Sequence, residues 1–139
     1  MIRRLRIEGY KSLASLEVRL RPLTVLFGPN AVGKSNVLDA LQLLSRLVNA
    51  RTLKEAFEPP YRGTPLESFT FGPEGMAGHL KQESLRFTLE VDVELSQWTV
   101  ATVERQIVDM RKGNGGGEVK AGRFIKEPLL RYRLTVEML

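Results

Sequence analysis

Cysteine is absent from the 139 residues, and histidine occurs once, at His79. The first absence excludes a disulfide framework, a thiolate metal site and a cysteine nucleophile. The second leaves too few ligands for a histidine-rich zinc centre. No apolar run approaches the ~20 residues that a membrane-spanning helix needs. The basic start, Met1-Ile2-Arg3-Arg4-Leu5-Arg6, is not followed by the apolar stretch of a secretion signal. No segment repeats another. These absences predict a cytoplasmic protein without a membrane partner.

The composition, 42% apolar and 27% charged, is that of an ordinary globular domain. The net charge is +5, and it is unevenly placed. Arg3, Arg4, Arg6, Lys11, Arg19 and Arg21 are opposed only by Glu8 and Glu17 in the first 21 residues. A solvated strand face accounts for such a cluster, and a nucleic-acid-facing surface would also produce it.

The most informative segment is Gly28-Pro29-Asn30-Ala31-Val32-Gly33-Lys34-Ser35, a complete Walker A phosphate loop. By chance such a match arises on the order of once in two hundred chains of this length. The apolar run Leu23-Thr24-Val25-Leu26-Phe27 leads in, and Asn36-Val37-Leu38-Asp39-Ala40-Leu41 leads out with helical spacing. Gly28 and Gly33 let the backbone approach phosphate oxygens. The N–H groups of about Ala31 to Ser35 form an anion cradle. Lys34 brings a charge to the β- and γ-phosphates, and the Ser35 hydroxyl is placed to ligate Mg²⁺. Asn36 can add a contact at the helix start.

Around this loop the periodicity predicts a strand over 2–9, a turn over Gly9-Tyr10-Lys11-Ser12 and a strand over 15–20 ended by Pro22. Residues 23–27 read as a strand covered on both faces. A helix is predicted over 34–48, with Val37, Leu41, Leu44 and Val48 inward and Leu38 and Leu47 widening the stripe. Residues 51–83 form an irregular connection. Residues 84–139 read as antiparallel strands: one from 84, one over Trp98–Met110, one over Val119–Ile125 and one over 130–138. Gly113–Gly117 is a hairpin tip.

Hydrolysis also needs an apolar strand ending in an acid for Mg²⁺ and a glutamate to orient water. Ile107-Val108-Asp109-Met110 is the nearest sequence, and it fails, because Arg105-Gln106 precede it and no Glu follows. No catalytic residue is assigned. The predicted fold class is α/β, an N-terminal half of a P-loop NTPase that is incomplete without a C-terminal lobe.

The run from Leu5 through Tyr10-Lys11-Ser12-Leu13 to Leu41 resembles the N-terminus of ABC-type ATPase heads of the SMC, RecF and OLD (overcoming lysogenization defect) group. An aromatic-basic-serine turn about 20 residues before Gly-x-Asn-x-x-Gly-Lys-Ser-Asn marks that group, as does Leu-Asp-Ala-Leu after it. The resemblance covers roughly the first 48 residues. It implies an ATP-binding N-terminal lobe whose nucleotide ligands are Asn30, Gly33, Lys34, Ser35 and Asn36, with Ala31 and Val32 in the loop. It also implies that Lys11 and Ser12 lie beside the nucleotide. Ala31 departs from the group's usual glycine. No signature motif and no recognisable glutamine lid are present; Gln82 and Gln106 lack the context. Arg51 and Arg62 are candidate nucleotide-facing arginines, each more readily read as a surface residue. The implied partners are a C-terminal lobe, in the same gene or another chain, a second copy across sandwiched ATP, and DNA, in repair, processing or phage defence. The alternative is a complete module that binds nucleotide without hydrolysis. A nucleotide kinase or GTPase is disfavoured by the missing acidic strand.

Overall fold

The computed structural model of the chain describes residues 1–79, 81, 83–113 and 124–139. Four antiparallel strands form one sheet in the order β2-β1-β3-β4. They are β1 (Ile2–Tyr10), β2 (Leu13–Arg19), β3 (Leu85–Glu94) and β4 (Leu129–Met138). The N-terminal and C-terminal strands thus share a sheet, with β1 paired to β2 on one side and β3 on the other. Helix α1 (Lys34–Asn49) packs on one face. Between α1 and β3 lie the short helices α2 (Leu53–Ala56) and α3 (Gly75–His79) and a 3₁₀ turn, Leu66–Ser68. Helix α4 (Gln97–Gly113) connects β3 towards β4. Among the described residues, no helix is long and apolar enough to cross a membrane.

Period-2 alternation sends Leu5 and Ile7 of β1, and Phe87, Leu89 and Val91 of β3, to the face under α1. There they meet Val37, Ala40, Leu43 and Leu44. Each such fully buried apolar side chain contributes roughly 1.5–3 kcal/mol. The helix presents a rotated stripe compared with the one its periodicity predicts. Leu38 and Val48 are exposed, whereas Leu43 and the charged Asp39 are buried.

The opposite face of the sheet is an ion lattice. Arg4 contacts Glu90, Asp92 and Glu17; Arg131 and Arg133 reach Asp92 and Glu90; Arg86 pairs with Glu137. Glu90 is only 1% exposed. Burial pushes its carboxyl up, and the Arg133 and Arg4 hydrogen bonds more than reverse this, holding it below the ordinary carboxylate range. The hydrogen bonds from Arg131 and Arg4 hold Asp92 well below that range too. Of the six N-terminal cations, Arg3, Arg4, Arg6 and Lys11 face acids, namely Glu94, the Glu90 cluster, Glu8 and Asp39. The acids and arginines of this face balance one another.

Two predicted strands are corrected. Trp98–Met110 is helical. Its alternation was loose, and Val100, Val103, Ile107 and Met110 follow helical spacing instead. Ser96 caps the helix: its hydroxyl accepts from Thr99 N at 3.1 Å, and its carbonyl accepts from Val100 N at 3.0 Å. Asp109 therefore sits on a helix and not at a strand end. Residues 23–27 form no strand, and Leu23, Val25 and Phe27 are 82%, 70% and 91% exposed. A strand buried on both faces needs neighbours on each side. Among the described residues, the four strands form one sheet and none of them pairs with this run. The strand expected over Val119–Ile125 lies largely outside the described residues, as does most of Gly113–Gly117.

Candidate nucleotide site

The phosphate loop closes on the first turn of α1. Gly33, the residue before the helix, has φ 97°, and no side chain caps the helix start. The first N–H groups of α1 are therefore available to an anion. Gly28 has φ 149° and Ala31 has φ 64°. Ala31, which stands where the resembled group has glycine, adopts the left-handed conformation that glycine favours. The Lys34 ammonium donates to Gly28 O at 2.8 Å and Pro29 O at 2.6 Å, so it lies over the loop.

The turn between β1 and β2 abuts the loop. A Cβ on Gly33 would lie 2.9 Å from both Ser12 Oγ and Leu13 Cδ2. Asn36 Nδ2 donates to Ser12 Oγ at 2.8 Å. Ser12 is thus joined to the phosphate loop at the helix start, as its place in the resembled motif implies. Lys11 has φ 49° and turns its side chain across α1. Its ammonium donates to Asp39 Oδ2 at 2.9 Å and to Arg62 O at 2.8 Å. It also sits 4.9 Å from the centroid of the Tyr61 ring, a cation–π contact.

Asp39 has a second cation. Arg62 Nε and Nη2 both donate to its carboxylate, at 2.8–3.0 Å. Asp39 is 5% exposed. Burial pushes its carboxyl up, and the hydrogen bonds from Lys11 and Arg62 more than reverse that, leaving it below its ordinary range.

Residues 61–71, which carry Arg62, are strapped over the end of β1. Lys11 N donates to Ser68 O at 2.9 Å and Thr70 N to Gly9 O at 2.8 Å. Beneath the strap, the hydroxyls of Tyr10, Tyr61 and Ser68 form a chain, with Tyr10–Tyr61 at 3.1 Å and Tyr61–Ser68 at 2.6 Å. Burial and the Tyr61 hydrogen bond push the Tyr10 phenol far above its ordinary value, so it stays neutral. Arg46 of α1 fastens the preceding segment by donating to the carbonyls of Ala56, Glu55 and Glu58 at 2.7–2.9 Å.

Ser12, Ser35, Asn36, Asp39 and Arg62 wall a cleft of about 720 Å³, with Phe71 also lining it, whereas Gly33 and Lys34 line a separate depression with Leu13 and Phe27. The structure brings Lys11, Ser12, Ser35 and Asn36 to one cleft. Asp39 and Arg62 belong to it as well. Sequence reading missed Asp39 because an acid in the helix pattern looks like a solvent-facing residue. Arg51 takes no part in the cleft; its N–H donates to Glu55 Oε2 at 3.0 Å. Among the described residues, no group of three His, Asp or Glu side chains could hold a metal ion.

A left-handed glycine before an uncapped helix start leaves backbone N–H groups for an anion, the requirement of a nucleotide phosphate. The family described as AAA ATPase domain matches residues 1–119. The OLD nuclease of Thermus scotoductus (strain ATCC 700910 / SA-01) is 36% identical over 44 residues, which are 32% of this chain and 8% of that protein. The chain thus matches less than a tenth of the length of this relative. No solved structure matches.

Proposed function

The chain belongs to the AAA ATPase domain family, of the OLD, RecF and SMC kind, and on that premise we propose that it binds Mg-ATP through Gly28–Asn36 as the N-terminal lobe of such an ATPase. The observation that carries this reading is the Walker A loop seated on an uncapped helix start, whose last residue, Ser35, lines a cleft together with Asn36 and Arg62. Lys34 would leave the Gly28 and Pro29 carbonyls to meet the β- and γ-phosphates. Ser35 would ligate Mg²⁺ beside phosphate oxygens, and Asn36 and Ser12 would steady the helix start. Bound Mg²⁺ supplies charge neutralisation to the triphosphate. Arg62 would add a cation from the cleft wall.

In this reading the water-activating acid and the signature contact come from a C-terminal lobe, in the same gene or another chain, and from a second copy across the nucleotide. The exposed apolar side chains of Leu23, Val25 and Phe27 support it, since a further lobe would cover them. With a nuclease as a relative, the complete ATPase is proposed to serve DNA repair, DNA processing or phage defence.

The test is equilibrium binding of Mg-ATP to wild type and Lys34→Ala. Losing a charge-assisted contact worth about 1.5–3 kcal/mol weakens binding roughly 10–150-fold. Unchanged affinity in the variant would remove the phosphate loop from the site. Steady hydrolysis by the 139-residue chain alone would refute the need for a second lobe.

A further inference from the structure

We infer that Asp39 is a positioning residue for nucleotide binding, holding Arg62 and Lys11 as a fixed pair on the wall of the cleft that Ser35 also lines. The inference rests on the ATP-binding reading above. Asp39 lies on α1 one turn beyond Ser35, so the helix that carries the phosphate cradle also carries the anchor for the cations. Lys11 is consumed in this arrangement. Its ammonium is held by a carboxylate, a carbonyl and an aromatic face, and its side chain is 13% exposed. Arg62 is not consumed. Its Nε and one terminal nitrogen grip Asp39 side-on, while the side chain remains 61% exposed along the cleft. The other edge of the guanidinium is therefore the cation a ligand phosphate can meet, and its direction is set by the two-point grip.

Glu67 also lines the cleft, but its carboxylate accepts from Thr64 N at 2.6 Å, which turns it towards its own loop. The charge of Asp39 is opposed by two cations before it reaches the cleft. What a neutral side chain removes there is orientation and not repulsion. An unfastened arginine must give up its rotamer freedom on binding.

The test is a double-mutant cycle on the full-length protein, reading the dissociation constant for Mg-ATP alongside the urea midpoint. Asp39→Asn and Arg62→Ala are each expected to weaken binding about tenfold, and the double variant about tenfold as well, because Asp39 acts through Arg62. A residue needed only for folding would shift the urea midpoint and leave the affinity of the folded fraction unchanged. Arg62→Lys keeps the charge and loses the grip, and it is expected to bind as weakly as Arg62→Ala. This variant tests the inference even if Asp39→Asn does not fold. Wild-type affinity in folded Asp39→Asn or in Arg62→Lys, tighter binding in Asp39→Asn, or a double variant weakened about a hundredfold would each overturn it. Lys34→Ala in the same series separates the two claims. If it abolishes binding while Asp39→Asn does not matter, only the positioning role fails. If wild type does not bind ATP, both fail.

Discussion

Replacing Gly33 by alanine tests how the phosphate loop and the β1–β2 turn are fitted together. The backbone there has φ 97°, and a left-handed conformation costs an L-residue with a Cβ about 1–2 kcal/mol. The new methyl would also lie 2.9 Å from Leu13 Cδ2 and from Ser12 Oγ. Neither neighbour yields freely. Leu13 is part of the core, and Ser12 Oγ is tied to Asn36 Nδ2 at 2.8 Å. Overpacking of this kind costs about 1–3 kcal/mol. Together these give a destabilisation of about 2–5 kcal/mol. A 139-residue domain has a total of roughly 7–20 kcal/mol at the usual stability per residue. The assay is urea denaturation followed by circular dichroism, with Mg-ATP titration on the same samples. The expected result is a lower midpoint and ATP binding weaker by more than tenfold, because relief of the clash moves Ser12 and the first turn of α1 apart. A Gly33→Ala protein as stable as wild type would refute the packing argument. One that is less stable but binds ATP normally would refute the link between the turn and the nucleotide.

Two other outcomes follow from the same geometry. Ala31→Gly removes the strain of φ 64°, worth about 1–2 kcal/mol, against about 0.4–1 kcal/mol of added chain entropy in the unfolded state. The variant is expected to gain up to about 1 kcal/mol in urea denaturation, and a loss would show that the alanine methyl packs favourably. Glu90, Asp92 and Asp39 all have folded-state pKa values below their ordinary ones. Their stabilisation is therefore fully present above the unfolded carboxylate range near pH 4 and is lost as the pH falls through and below it. Thermal midpoints are expected to fall steeply below about pH 4. Asp92→Asn should be less stable at pH 7 and lie closer to wild type at low pH, whereas parallel pH profiles would remove Asp92 from the lattice.

Much of the fold was legible because it is local. The strands β3 and β4 carry long period-2 alternation and β1 carries it over Arg4–Glu8, and α1 follows directly on the glycine loop. The Walker A residues were legible for the same reason, since four fixed positions within eight residues need no tertiary information. What was missed depends on distant partners. Leu23–Phe27 has the composition of a central strand, but strand formation is decided by what pairs with it. Trp98–Met110 contains aromatic and β-branched residues at roughly alternate places, and the Ser96 cap outweighs them. Asp39 and Glu90 look like surface acids in a one-dimensional pattern. They are buried because arginines or lysines 23 to 86 residues away in sequence reach them.

The cleft shows why a motif alone describes only part of such a site. The phosphate loop presents N–H groups and one mobile lysine, all from residues adjacent in sequence. The wall that carries Arg62 comes from a strap, residues 61–71, whose place is set by the end of β1 through Gly9 O, Lys11 N and the Tyr10 hydroxyl. Tyr10 and Phe69 each pack edge-on against Phe87 of β3, with centroids 5.5 Å and 5.2 Å apart. The strap is therefore clamped to the centre of the sheet and not left as a surface loop. Asp39 then joins the strap to the helix that begins at the phosphate loop. Turn, helix and strap are three segments with three separate backbone attachments, and they meet at one carboxylate. A displacement of the phosphate loop along α1 must therefore either carry Arg62 with it or break the two-point grip. Arg62 and the helix that carries Ser35 are thus tied to each other through the Asp39 carboxylate.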